Sequence, residues 1–121
     1  MNNSLKSAVA TVVIAATALL LPVAALSCDK NFTLYNETDS SILHLYVSPH
    51  QSNTWEDDLI ANTSSIEPDT SWHINMEADN RDFSIYDLKA VMDDGTKVEG
   101  ASINICRATK VYVYTDHVSY E

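Results

Sequence analysis

Residues 83–106 read FSIYDLKAVMDDGTKVEGASINIC, and this stretch decides the fold. Phe83 to Met92 is the longest strand-like run in the chain. Asp93-Asp94-Gly95 follows at once, and an Asp-Gly pair between two apolar runs is a strong short-range hairpin signal, because both residues tolerate the positive φ of a tight turn. Thr96 to Cys106 is then the returning strand, with an interruption near Gly100. Upstream, Asn31 to Asn36 alternates, with Phe32 and Leu34 on one face and Thr33 and Tyr35 on the other. That period of two marks a half-buried strand. Ile42 to Val47 alternates as well: Leu43, Leu45 and Val47 share a face opposite Ile42, His44 and Tyr46, and Ser48-Pro49 ends the run because proline cannot donate to a ladder.

Thr70 to Met76 gives another strand, with Trp72 and Ile74 toward the core, and Lys110 to Thr115 gives the last, with Val111 and Val113 opposite Tyr112 and Tyr114. Gln51 to Asn62 is polar apart from Trp55, Leu59 and Ile60. Their spacing predicts a loop with a short helical piece, capped by Asn53 or Thr54. Thr63 to Asp69 reads as a turn. Six or seven short strands with turn signals between them, and no long helical period, predict an all-β antiparallel sandwich, with a small barrel as the alternative.

The N-terminus is of a different kind. Lys6 is the only charge before Asp29, and an apolar run extends from Ala8 to Leu21. Pro22 and the small residues Ala24, Ala25 and Ser27 follow. This is the layout of a secretion signal helix over residues 1–27, cut after Ala25 or Ser27, ahead of a single β-sandwich domain over 28–121. Ser7 to Ser27 is also nearly long enough to span a bilayer as an uncleaved anchor, a reading Pro22 and the small residues oppose. Export places the domain outside the cell or in the periplasm.

Without Lys6, six of the seven basic residues remain against all 17 acids, a balance of −11. A field of that sign repels phosphate backbones and anionic lipid, which speaks against nucleic-acid and peripheral membrane binding. A domain of this size buries only a little over ~60% of its unfolded surface, so its core is thin. Two cysteines remain, Cys28 and Cys106, one at each end. Joined, they close nearly the whole chain, worth roughly 4–5 kcal/mol in the loop-entropy picture. Two other fates are open to Cys28: a free thiol, or a lipid anchor, since Leu26-Ser27-Cys28 resembles part of a bacterial lipobox whose leucine is displaced by one position.

The segments NFTLYNET, LYVSPHQSNTWEDDLI, IYDLKAVMDDGT and INIC resemble a family of small exported bacterial β-sandwich proteins found in cyanobacteria and proteobacteria. The resemblance runs from about Asn31 to Tyr114. It implies an immunoglobulin-like sandwich and no established activity. Some members carry an argininosuccinate lyase label, but that chemistry is built in a much larger helical enzyme. The family pattern also places a cysteine near Ser84, a partner for the cysteine near the C-terminus. Serine stands there in this chain, so the resemblance leaves Cys106 either to Cys28 or unpaired.

Catalytic signatures are scarce. With only Gly95 and Gly100, the chain has no phosphate-cradling loop, dinucleotide fingerprint or G-x-S-x-G elbow, and neither H-E-x-x-H nor C-x-x-C occurs. No cofactor is implied. His44, His50, His73 and His117 are scattered; His44 and His73 fall on strands, where convergence would make a partial zinc or copper site. The acidic groups Glu56-Asp57-Asp58 and Asp93, Asp94 with Glu99 are the calcium candidates. Calcium takes six to eight oxygens, so turn chemistry and a solvated helix start explain them more simply.

Trp55, Trp72 and the six tyrosines, of which Tyr46, Tyr86, Tyr112 and Tyr114 lie on strands, are the material for a sugar platform, although core packing is the expected role of both tryptophans. Asn31, Asn36 and Asn62 carry glycosylation sequons of use only in a eukaryotic host. The expected function is a non-enzymatic binding or interaction module with a protein or carbohydrate partner. The alternative is a small metal-dependent hydrolase or calcium-binding domain in the same compartment.

Overall fold

The computed structural model describes residues 28–121, so the expected signal helix lies outside the described residues. Seven strands form: β1 (Asn31–Asn36), β2 (Ile42–Pro49), β3 (Ser71–Asn75), β4 (Ile85–Met92), β5 (Lys97–Asn104), β6 (Lys110–Val113) and β7 (Val118–Tyr120). They make two sheets, ordered β3-β1-β6-β7 and β2-β4-β5. No ladder joins the sheets, so the fold is a sandwich rather than a barrel. One pair departs from the antiparallel expectation: β1 and β6 run parallel, with Leu34 opposite Val111. Parallel neighbours need a long crossover. Here the chain between them builds the whole second sheet.

The inward residues of both sheets interdigitate as alternation requires. Phe32 and Leu34 of β1, Ile74 of β3 and Val111 and Val113 of β6 meet Leu45 and Val47 of β2, Leu88 and Ala90 of β4 and Ile103 of β5. The β4–β5 hairpin turns at Asp93-Asp94-Gly95 as expected, with Gly95 at φ 88° and the Asp94 carboxylate accepting the Thr96 N–H at 2.9 Å. The interruption expected near Gly100 is a bulge: Leu88 faces Gly100, Tyr86 faces Ile103, and Ser102 takes φ 59°. Gly100 is required where β5 passes β7. A Cβ there would lie 2.6 Å from that of Val118.

Two expectations are corrected. In β2 a register shift between Ile42 and His44 breaks the simple alternation, so Ile42 joins Leu45 and Val47 in the core and Leu43 is left 41% exposed. A bulge of this kind moves a side chain from one face to the other. The segment 51–62 contains no helix. Its backbone is drawn instead to the β2 edge: the Asp58 carboxylate accepts the N–H groups of Leu45 (2.9 Å) and Ile60 (3.1 Å), and Leu59 donates to the Leu45 carbonyl at 2.8 Å. Those contacts take the place of i→i−4 bonds. Ile60 is buried, Leu59 exposed and Trp55 half-buried.

Cys28 and Cys106 are joined in a disulfide with Cα atoms 5.1 Å apart. The bond ties the start of β1 to the turn after β5. It occupies the Cys28 sulfur that a thioether lipid would require.

Candidate functional site

The outer face of the β3-β1-β6-β7 sheet follows from the same alternation that fills the core. Because Leu34, Val111 and Val113 point inward, Tyr35, Tyr112 and Tyr114 must point outward. The parallel register sets Tyr35 directly beside Tyr112, ring centroids 5.0 Å apart. Tyr112 continues to Tyr114 at 6.4 Å, and Tyr114 to His117 at 4.7 Å, all with rings within 26° of parallel. These four form an aromatic ladder running from β1 across β6 into the β6–β7 turn, with the three tyrosines half-buried and His117 exposed. The Tyr112 hydroxyl donates to the Glu121 carboxylate at 2.6 Å, and this bond is the main cause that pushes its pKa up to about 12.

The opposite sheet carries a second, smaller group. Lys89 lies over the rings of Tyr46 (5.0 Å) and Trp55 (5.1 Å), and His44 lies beside Tyr46. Cation–π contact of this kind holds the 51–62 segment against β2 and β4. The sequence placed Trp55 in the core; it packs on the outer face. Trp72 does pack against the core. Tyr86, expected on a sugar platform, is wholly buried. His117 was not among the platform candidates, which were the tyrosines and tryptophans. The alternation of Asn31–Asn36 already turned Tyr35 outward, but its neighbour across the parallel pair was not visible in one sequence.

Beside the disulfide lies a cleft of about 880 Å³ lined by Cys28, Lys30, Asp79, Arg81 and Arg107 among others. Three of its charges, on Lys30, Asp79 and Arg81, satisfy one another. Lys30 is buried and donates to the Tyr86 hydroxyl at 3.0 Å and to the Arg81 carbonyl, with the Asp79 carboxylate 3.8 Å away. Asp79 accepts from the Arg81 guanidinium at 2.8 Å and from the Tyr86 hydroxyl at 2.7 Å; Arg81 also grips Glu56 through two bonds of 2.8 Å. The Arg81 guanidinium, reinforced by Tyr86 and opposed by burial, holds Asp79 well below the usual carboxylate range. Burial, then Asp79, pushes the Tyr86 phenol up. Neither group is therefore poised to exchange a proton near neutrality. The cluster is a clamp that fixes the 76–83 segment over the open end of the sandwich.

The histidines do not converge. His44 bonds Asp58 at 2.7 Å, His50 bonds Asp87 at 2.8 Å and His117 bonds Asp116 at 2.7 Å, in three separate places. His73 sits exposed on β3. The His50–Asp87 pair has the form of a base and its orienter, but the second acceptor bond to Asp87 comes from the backbone N–H of Ser102 at 2.9 Å, and no described hydroxyl or thiol bonds His50. A triad needs that third member. Asp93 and Asp94 lie in the hairpin turn, while Glu99 stands on β5 opposite Lys89. Among the described residues, no three His, Cys, Asp or Glu side chains are grouped so as to hold a metal ion.

The sequons divide by burial. Asn62 is exposed. Asn36 is fully buried and spends both amide hydrogens on the carbonyls of Ser40 (2.8 Å) and Ile66 (3.0 Å), while its oxygen accepts from Thr38. Its role is structural: it knots the end of β1 to two turns.

No family model matches this chain, and no curated protein does. Among solved structures, an NMR structure of a protein from Eubacterium rectale is similar at 12% identity and a TM-score of 0.45, covering 74% of this chain and 85% of that one.

Proposed function

We propose that this protein is an exported, non-enzymatic binding module. The observation that carries the reading is the aromatic ladder of Tyr35, Tyr112, Tyr114 and His117, open to solvent along the outer face of β1 and β6 and the turn that follows. Aromatic residues so placed supply large contact area at little entropic cost, which is what a recognition surface for protein or carbohydrate needs. The disulfide is consistent with an oxidising compartment outside the cytoplasm. The family resemblance, with its export signal and absence of assigned chemistry, points the same way.

Titration of isotope-labelled protein with soluble oligosaccharides and with extended peptides, followed by amide NMR, tests this. The expected result is that at least one ligand class shifts resonances of β1 and β6, and that Tyr112→Ala abolishes the response. Turnover of a generic ester, peptide or phosphoester substrate that disappears in His50→Ala or His44→Ala overturns the reading and favours the hydrolase alternative.

A further inference from the structure

The two sheets end in very different ways. Each sheet has two outer strands, and away from the side where β5 passes β7 these are β2 and β3; backbone groups turned outward on such strands are a template for pairing with another chain. On β2 most of them are used. Ile42 exchanges hydrogen bonds with Ile66 at 2.9 and 3.0 Å, Leu45 is capped by Asp58 and Leu59, and Pro49 has no N–H to offer. On β3 they are not. Bonds from Asn36 N–H to the Thr70 carbonyl (3.0 Å) and from Met76 N–H to the Lys30 carbonyl (2.8 Å) frame the β1–β3 ladder. In the register Phe32↔Ile74 and Leu34↔Trp72, it is therefore Trp72 and Ile74 that face β1. Ser71, His73 and Asn75 turn their N–H and C=O groups outward, and no described strand or side chain takes them up.

This edge also lacks the usual guards. Ser71 to Asn75 holds no lysine, no proline and no acid, and its inward side carries Trp72, which is only half-buried. Acids stand instead at both ends: Glu67 and Asp69 before the strand and Glu77 after it, all exposed, on a domain whose balance is strongly negative. We propose that the β3 edge is a strand-addition site for an extended peptide segment of a partner protein, with basic residues flanking a short alternating apolar stretch. The segment would complete the sheet through backbone bonds to Ser71, His73 and Asn75. Its inward side chains would cover Trp72, and its flanking Lys or Arg side chains would meet Glu67, Asp69 and Glu77. A second copy of this chain fits less well, because antiparallel pairing about His73 brings Glu77 of one copy alongside Asp69 of the other at both ends.

The inference deepens the binding-module reading and rests on it. Its test is hydrogen exchange and NMR titration of the disulfide-bonded protein with two synthetic peptides, one alternating Val and Thr between terminal Lys pairs, the other between Glu pairs. The expected result is slowed exchange at Ser71, His73 and Asn75 with the Lys-flanked peptide, weakened by added salt, and affinity for the Glu-flanked peptide lower by about tenfold or more. His73→Pro removes one outward N–H that the fold does not use, at a position where an edge strand tolerates proline, and is expected to weaken binding about tenfold. Should that variant not fold, His73→Lys retains the backbone and repels the basic peptide. No protection of these three amides by the Lys-flanked peptide overturns the inference, as does protection that grows with protein concentration alone and accompanies a doubling of mass. Shifts at Tyr112 and Tyr114, read in the same spectra, report on the aromatic face separately, so a failed edge and a failed module are told apart.

Discussion

At the scale of single residues, two polar side chains, the half-buried Asp79 and the buried Asn36, do more for this thin core than any exposed charge. Asp79 is ionised in the folded protein far below the pH at which a free carboxylate protonates, with Arg81 as the main cause. A depressed folded pKa gives stability that is present above the unfolded value of about 4 and is lost as pH falls through the folded one. Acid unfolding of the protein is therefore expected to steepen below about pH 4, and Asp79→Asn is expected to flatten that slope. At neutral pH the same variant leaves buried Lys30 short of its counter-charge and should cost roughly 2–4 kcal/mol in a denaturant titration. Asn36 makes a sharper case. Asn36→Asp sets a buried carboxylate against the carbonyls of Ser40 and Ile66, each of which loses one of its two donors, and is expected to cost more than about 2 kcal/mol by the same measurement. Its sequon form gave no hint of this role, since burial is set by the chain crossing over it, not by its neighbours in sequence.

At the scale of elements, the parts that were legible are those whose cause is local. The alternation of Asn31–Asn36, the Asp93-Asp94-Gly95 turn and the break near Gly100 each follow from residues next to one another, and the structure places all three where expected. What was not legible depends on distant partners. The three residues of β7 are too few to carry a period and form a strand because β6 offers an edge. The parallel β1–β6 pair, which assembles the aromatic ladder, joins residues at opposite ends of the domain. The 51–62 segment has helical spacing, yet the unpaired β2 edge is a stronger attractor. The bulge at Leu43 gives the most direct check. Strict alternation buries Leu43, whereas the bulge exposes it, so Leu43→Thr should change stability by no more than about 0.5 kcal/mol while Leu45→Ala costs about 2–5 kcal/mol in thermal or denaturant unfolding.

At the scale of the whole molecule, the sandwich is closed by one covalent tie and one ionic clamp at the same end. The disulfide links residues 78 apart in sequence and borders the cleft that Arg81 and Asp79 line. Replacing both cysteines by serine is expected to cost about 2–5 kcal/mol, seen as a lower denaturant midpoint with the β spectrum retained below it. The contrast between a largely capped β2 edge and an open β3 edge gives the molecule a direction for binding. Amide hydrogen exchange of the free protein, resolved residue by residue, measures that asymmetry. The expected result is strong protection at Ile42, Leu45 and Ile66, whose N–H groups are bonded, and near-unprotected exchange at Ser71, His73 and Asn75 between protected Trp72 and Ile74. Equal protection along all five residues of β3 in the free protein would contradict the open edge and, with it, the proposed mode of partner recognition.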